Sequence, residues 1–333
     1  MLLRKSYKKA LVIGAGSGRD IASAVLMTEG LRRQGVKVDL AGFLTPWTVH
    51  EFSGKFEKPI NTLDGSLARK FLANKREQSI PFFEPELFRL NTELGLGLEE
   101  IHLFSLHYGT LGLLDAIQRL VRIKEYDLIL AVDIGGDILA TREDFRYVYT
   151  PIVDLTCLHI LSWLDTSADR ILSVIAPGSD GEIPSRRLTE IISELRVRGI
   201  LLGEEEISNT SQEFSAFFGV NSEINSRTGL HSQTFDSIVK IVRSDSDLVE
   251  IYKRRSRGEE FQVELIKGFS DQVFHFDLRR VAGRLGFFLP SDCPSVLLLA
   301  RIFQVLGCAG TEVDSFHVPV RIRDGDYKIT ALI

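Results

Sequence analysis

Cysteine is scarce. The 333 residues hold three, Cys157, Cys293 and Cys308, with no Cys-x-x-Cys pair. An odd, scattered set excludes a disulfide framework and a zinc cluster, and Cys157, inside an apolar helical pattern, reads as a buried thiol. Long hydrophobic runs are missing too. The oiliest stretch, Val296 to Leu306, is broken by Arg301 and Gln304 and falls short of the ~20 residues that a membrane-spanning helix needs. The basic start, Met1 to Lys9, lacks the apolar core of a secretory signal. Positive charge has no surplus: 40 Lys+Arg face 45 Asp+Glu, a net charge of -5, which argues against nucleic acid as a partner. The histidines form no HxH or HExxH, no G-x-S-x-G elbow occurs, and no GKS or GKT follows the first glycine turn. Zinc hydrolysis, an esterase triad and a Walker loop are thereby disfavoured. A soluble cytoplasmic protein with a small-molecule partner and no membrane contact is the expectation. A homo-oligomer is compatible with such a chain, although no residue specifies one.

Short apolar runs alternate with helical periodicity. Lys9 to Ile13 reads as a buried strand, Ile21 to Leu31 as a helix and Val36 to Leu40 as a second strand. The rhythm resumes at Ile101–Leu106 (strand), Thr110–Ile123 (helix), Tyr126–Asp133 (strand), Pro151–Leu164 (helix opened by proline), Arg170–Ala176 (strand) and Pro184–Arg198 (helix). Repeated βα units predict an α/β fold: a doubly wound, mostly parallel, Rossmann-like sheet over residues 1–200. Residues 44–100, with Pro46, Pro59, Pro81 and Pro85, read as an irregular insertion. Residues 201–333 read as an α+β extension packed on the core. It holds a polar stretch from Gly203, helices at Ser232–Val242, Leu278–Leu285 and Val296–Leu306, a strand at Phe261–Ile266, and a final hairpin of Val318–Arg323 and Tyr327–Leu332 around Asp324-Gly325.

The strongest motif is Gly14-x-Gly16-x-Gly18-Arg19-Asp20 between the first strand and helix. Glycines allow a sharp bend and close approach, and a helix start offers free N–H groups to an anion. Gly14, Gly16 and Gly18 are therefore the expected phosphate seat, with Arg19 as a clamp and Asp20 as a cap or site acid. Asp39, inside the second strand, is the nearest thing to the ribose ligand of an NAD(P) site. The spelling Val12 to Asp20 also looks like the first motif of class I methyltransferases, but Leu11, Val12 and Ile13 replace the acidic residue expected before the glycines.

The second constellation is Asp133-x-Gly135-Gly136-Asp137 at the end of a buried strand. Two carboxylates around a diglycine turn suit Mg²⁺ or a substrate amine. His107 after the third strand is the candidate proton carrier, and Gly178 and Asp180 in Pro177-Gly178-Ser179-Asp180-Gly181-Glu182 suit a ligand loop. In a parallel sheet these loops share one edge. Lys253-Arg254-Arg255-Ser256-Arg257 reads as a solvated basic face.

The glycine turn followed by Arg19-Asp20, the strand ending Asp133-Ile134-Gly135-Gly136-Asp137, and Tyr149-Thr150-Pro151-Ile152-Val153-Asp154 together resemble the uncharacterised family called domain of unknown function 1152. The resemblance implies a nucleotide-binding-like α/β core and brings no assigned reaction. The reading is an enzyme that holds an ATP-like nucleotide or phosphorylated ligand on the glycine turn for Mg²⁺-assisted group transfer, as a transferase or ligase. Asp133 and Asp137 would hold metal. The alternatives are an NAD(P)- or S-adenosylmethionine-dependent enzyme and a non-catalytic ligand sensor or assembly subunit.

Overall fold

Leu128–Ile134 is buried along its whole length, as a strand covered on both faces must be. Around it a computed structural model describes residues 6–16, 18–44, 58–64, 83–254, 260–287 and 289–310. Along the chain lie β1 (Lys9–Gly14), α1 (Asp20–Ser23), α2 (Val25–Arg33), β2 (Lys37–Leu44), β3 (Ile60–Thr62), α3 (Glu84–Glu93), β4 (Ile101–Ser105), α4 (Gly109–Lys124), β5 (Leu128–Ile134), α5 (Pro151–Trp163), β6 (Asp169–Ile175), α6 (Ser185–Val197), β7 (Leu201–Glu206), α7 (Gln212–Thr228), α8 (Gln233–Val242), β8 (Leu248–Arg254), β9 (Glu260–Ile266), β10 (Gln272–Asp277), α9 (Leu278–Ala282) and α10 (Val296–Leu306).

The central sheet has eight strands in the order β3-β4-β2-β1-β5-β6-β10-β7. The run from β4 to β6 is parallel throughout, and β3 and β10 pair antiparallel to it. Alternate residues of β1 feed two cores. Ala10 and Val12 pack with Ile21 and Val25 and with Phe214 and Phe217 of α7. Leu11 and Ile13 pack with Leu113 of α4, Leu155 of α5 and Leu188 of α6. The sheet is therefore sandwiched between helices, and its strands read as near-continuous apolar runs for that reason.

The region beyond residue 200 departs from expectation. Leu201–Glu206, expected as polar irregular chain, is an edge strand with alternating burial. Its three glutamates are tolerated because one face and one edge meet solvent. β10, unforeseen, slots between β6 and β7 in the same sheet, and α7 also escaped the periodicity. β8 and β9 form a separate two-stranded ribbon. The expected helix Leu278–Leu285 ends at Ala282. Within the expected insertion β3 and α3 are regular. The hairpin expected at 318–332 lies outside the described residues. Among the described residues no helix is long and apolar enough to cross a membrane.

Candidate functional site

Because β1, β4, β5 and β6 run parallel, the loops that follow them share one edge of the sheet. The chain leaves β1 toward β2 on one side and β5 toward β6 on the other. Between strands that diverge in this way an open sheet leaves a crevice. A cavity of about 260 Å³ opens there. Gly16, Arg19 and Asp20 reach it from the turn after β1, Ile134 from β5, Asp137 from the turn after β5, Thr150 and Asp154 from the start of α5, Asp180 and Glu182 from the loop after β6, and Ser232 and Thr234 from the start of α8.

The glycine turn packs against the chain's own carboxylates. The Gly16 N–H donates to Asp20 Oδ2 at 2.9 Å. A Cβ on Gly16 would stand 2.2 Å from Asp20 Oδ2 and 2.6 Å from Asp154 Oδ1, so the glycine makes room for the chain's own carboxylates. Gly14 is bare because Ile21 N would lie 2.4 Å from its Cβ. Gly18 supplies the positive φ that ends the turn. α1 runs on into α2 through Ala24, which is itself in helical φ/ψ. Arg19, expected as a clamp, turns away. It donates to the Asn221 carbonyl and Oδ1, to Asn225 Oδ1 and to the Leu230 carbonyl, and its guanidinium stacks 4.4 Å from the Phe83 ring centre. Burial lowers its pKa to about 10.

The diglycine turn after β5 follows a buried acid. Asp133 is completely buried, and its Oδ2 accepts from Gly136 N–H at 2.9 Å. Its Oδ1 finds no donor. Gly135 and Gly136 both have positive φ, and a Cβ on Gly135 would meet Asp180 Cγ at 2.2 Å. The two loops are stitched by Gly178 N–H to the Gly135 carbonyl at 2.6 Å. Asp180 Oδ1 accepts from Glu182 N–H at 3.0 Å. Glu182 in turn accepts from Tyr149 N–H at 2.6 Å and from the Thr150 hydroxyl at 2.7 Å. Lys253, on β8, is 4% exposed rather than part of a solvated basic face, and it donates to the Ser179 and Asp180 carbonyls.

Carboxylate thus faces carboxylate in a largely buried setting. Burial, reinforced by Asp133, raises the Asp20 carboxyl well above its usual range. Burial, then Asp154 and Glu182, does the same to Asp137. Burial and the charge of Asp180 lift Asp133 to about 7 and Glu182 to about 7, and burial lifts Asp180 to about 6. Burial also lowers Lys253 to about 8. Like charges confined together must take up protons or a cation. Among the described residues one group is tight enough to chelate: a ligand atom from each of Asp20, Asp133 and Asp154 lies within 4.8 Å of the others. Asp137, expected as the partner of Asp133 at the metal, lines the cavity with its carboxyl in hydrogen-bonding reach of Asp133.

Asp154, Thr150, Glu182, Ser232, Thr234 and Lys253 were not foreseen as site residues. Asp154 had a readable signal, an acid three residues past the proline that opens a helix beside a strand tip. Glu182 had one too, as the acid that closes the Gly178–Gly181 loop. His107 lies by its backbone in the turn Leu106–Tyr108 after β4, and its side chain is outside the described residues. Asp39 is far from a ribose site. It sits at the amino end of β2, completely buried, and accepts from the Tyr126 hydroxyl at 2.6 Å.

Fold and site together define an α/β protein with a mostly parallel eight-stranded sheet and an acid-lined cavity at the carboxyl ends of its strands. The chain belongs to the family described as protein of unknown function (DUF1152), whose model matches residues 11–219. That span contains every carboxylate of the cavity and ends before Ser232, Thr234 and Lys253. No curated protein matches the chain.

Proposed function

We propose that the protein is a metal-dependent enzyme that binds a divalent cation on Asp20, Asp133 and Asp154 and transfers a group to or from a small nucleotide or phosphorylated substrate. The observation that carries this reading is the convergence of three carboxylate oxygens within 4.8 Å, one belonging to a fully buried aspartate with an oxygen that no donor reaches. Hard oxygen donors favour Mg²⁺, Mn²⁺ or Ca²⁺ over softer metals. Such a cation would offset the carboxylate charge and polarise a phosphoryl oxygen. A phosphorylated ligand would enter on the cation, since the glycine turn already accommodates Asp20. The strand order β4-β2-β1-β5-β6 supports a Rossmann-like core, with the cavity at its switch point. Glu182, held at about 7 and fixed by Tyr149 and Thr150, suits general acid–base work near neutral pH; the sequence had suggested His107 for that task. The NAD(P) alternative loses its ribose ligand, because Asp39 is bonded to Tyr126 at the other end of the strands.

The test is calorimetric titration of the purified chain with Mg²⁺ and Mn²⁺, followed by ATP, NAD and S-adenosylmethionine with and without Mg²⁺. The expected result is saturable cation binding, lost in Asp133→Asn, and an ATP or inorganic phosphate response that requires the cation. Absence of cation binding in the wild type, or equal binding in the variant, refutes the reading.

A further inference from the structure

We propose that Lys253 is a positioning residue: from behind the cavity wall it holds the loop after β6 where Asp180 and Glu182 line the cavity. The inference rests on the reading of that cavity as the ligand site and adds a residue that acts through the loop. The ribbon β8–β9 has two faces. Leu248, Glu250, Tyr252 and Arg254 of β8 are exposed. The opposite face pairs Val249 with Leu265, Ile251 with Val263 and Lys253 with Phe261 across the strands. Five of those six side chains are apolar and pack into the core that also holds Phe235 and Ile238 of α8. The sixth carries an ammonium, in a residue that is almost fully buried.

Place in the strand calls for an apolar side chain there. An ammonium taken out of water is costly unless hydrogen bonds and opposite charge offset the loss, and a methionine would fill a similar volume without that cost. The charge of Lys253 has a definite target. Its Nζ donates to the carbonyls of Ser179 and Asp180, which belong to the loop that carries Asp180 and Glu182 to the cavity. The ammonium also favours the charged form of Asp180.

Other contacts seat the same loop on the ribbon. Gly181 has positive φ, and a Cβ on it would stand 2.6 Å from Val263 Cγ2 and 2.7 Å from Phe261 Cε2. The Ser185 hydroxyl, at the start of α6, donates to the Glu264 carbonyl on β9. Toward α8, Gln233 Nε2 donates to the Arg254 carbonyl and the Arg254 N–H donates to Gln233 Oε1, both at 2.8 Å. Ser232 and Thr234, on either side of Gln233, line the cavity. β8 therefore braces two walls of one cavity, and Lys253 is the point where the brace meets the acid-bearing loop.

The experiment compares the full-length wild type with Lys253→Met, which keeps volume and loses charge and donors, and Lys253→Arg, which keeps both. Amide hydrogen exchange is read by mass spectrometry over residues 178–182, with β5 as the internal control, beside the melting temperature and the titrations with Mg²⁺ and then ATP. In Lys253→Met the loop should exchange at least about tenfold faster with β5 unchanged, and the melting temperature should equal or exceed that of the wild type. The cation-dependent ATP response should weaken at least about tenfold, because a loosened wall must be ordered on binding. Lys253→Arg should return loop exchange and the ATP response toward wild-type values. Unchanged loop exchange in Lys253→Met, a lower melting temperature or loss of fold in that variant, or Lys253→Arg no better than Lys253→Met each overturns the inference and leaves the wild-type Mg²⁺ isotherm, and with it the cation reading, intact. No Mg²⁺ binding in the wild type refutes the cation reading, and the exchange comparison still decides for or against Lys253.

Discussion

Two buried acidic sites lie at opposite ends of the same sheet, and they differ in the company each carboxylate keeps. At the amino ends of the strands, Asp39 Oδ2 accepts from the Tyr126 hydroxyl at 2.6 Å, and the Lys9 ammonium stands 3.5 Å from the same oxygen and over the Tyr126 ring. His102 completes the group, 3.5 Å from the tyrosine hydroxyl and bonded to Thr62 at 2.9 Å. One Asp39 oxygen lacks a donor, yet opposite charge is at hand. At the carboxyl ends, Asp133 meets Asp20, Asp137, Asp154 and Asp180 instead. The first site is closed by the chain itself and reads as structure. The second gathers carboxylates from several loops, and the proposed cation is what would balance them. Burial is common to both; the sign of the neighbours tells them apart.

The largest expected effect comes from crowding the open site. Gly16→Ala drives a methyl into Asp20 and Asp154, and the cation-induced rise in melting temperature should vanish, as read by calorimetry with and without Mg²⁺. Survival of that rise would show that the trio is not the chelating group. Next comes the closed site. Tyr126→Phe removes the donor to Asp39 and should cost about 1–3 kcal/mol in urea unfolding, the penalty of an unsatisfied buried group, while leaving Mg²⁺ affinity unchanged. A change in Mg²⁺ affinity would mean that the two ends are coupled.

A further expected effect is a pH dependence of the melting temperature. Asp133 and Glu182 hold protons up to about 7 and Asp180 up to about 6 in the folded protein, whereas an unfolded chain releases them near pH ~4. Between those limits the folded state binds more protons, so metal-free stability should fall as pH rises and then level off above about 7. The difference between wild type and Asp133→Asn isolates this contribution from the rest of the surface. A difference that stays flat or grows with pH would contradict the raised carboxyls. Mg²⁺ should reverse the slope, because it binds the deprotonated forms.

The parallel strands, the turn glycines and the two aspartates of the diglycine turn were legible because each follows from local rules: apolar runs, glycines at sharp bends, acids at strand tips. The role of the glycine turn was not. Gly14-x-Gly16-x-Gly18 has the composition of an anion seat, and only the packing of Asp20 and Asp154 against Gly16 shows what fills it. Arg19 and Lys253 changed places for the same reason: the expected ligand clamp is a strut to α7, and the residue of a surface-like basic run is a buried donor to the cavity loop. β7 and β10 were hard to read because an edge strand with glutamates looks like loop, and because a strand inserted late in the chain has its partners far away in sequence.

By itself the sequence determined the alternating α/β pattern, the edge at which the strand-tip loops gather and the residue types available there, since periodicity and turn chemistry act over a few neighbouring residues. Tertiary structure alone decided that acids from β5 and the turn after it, from the loop after β6, and from α1 and α5 share one small space. Electrostatic energy depends on separation in space and on exclusion of water, and neither is written in the order of the residues.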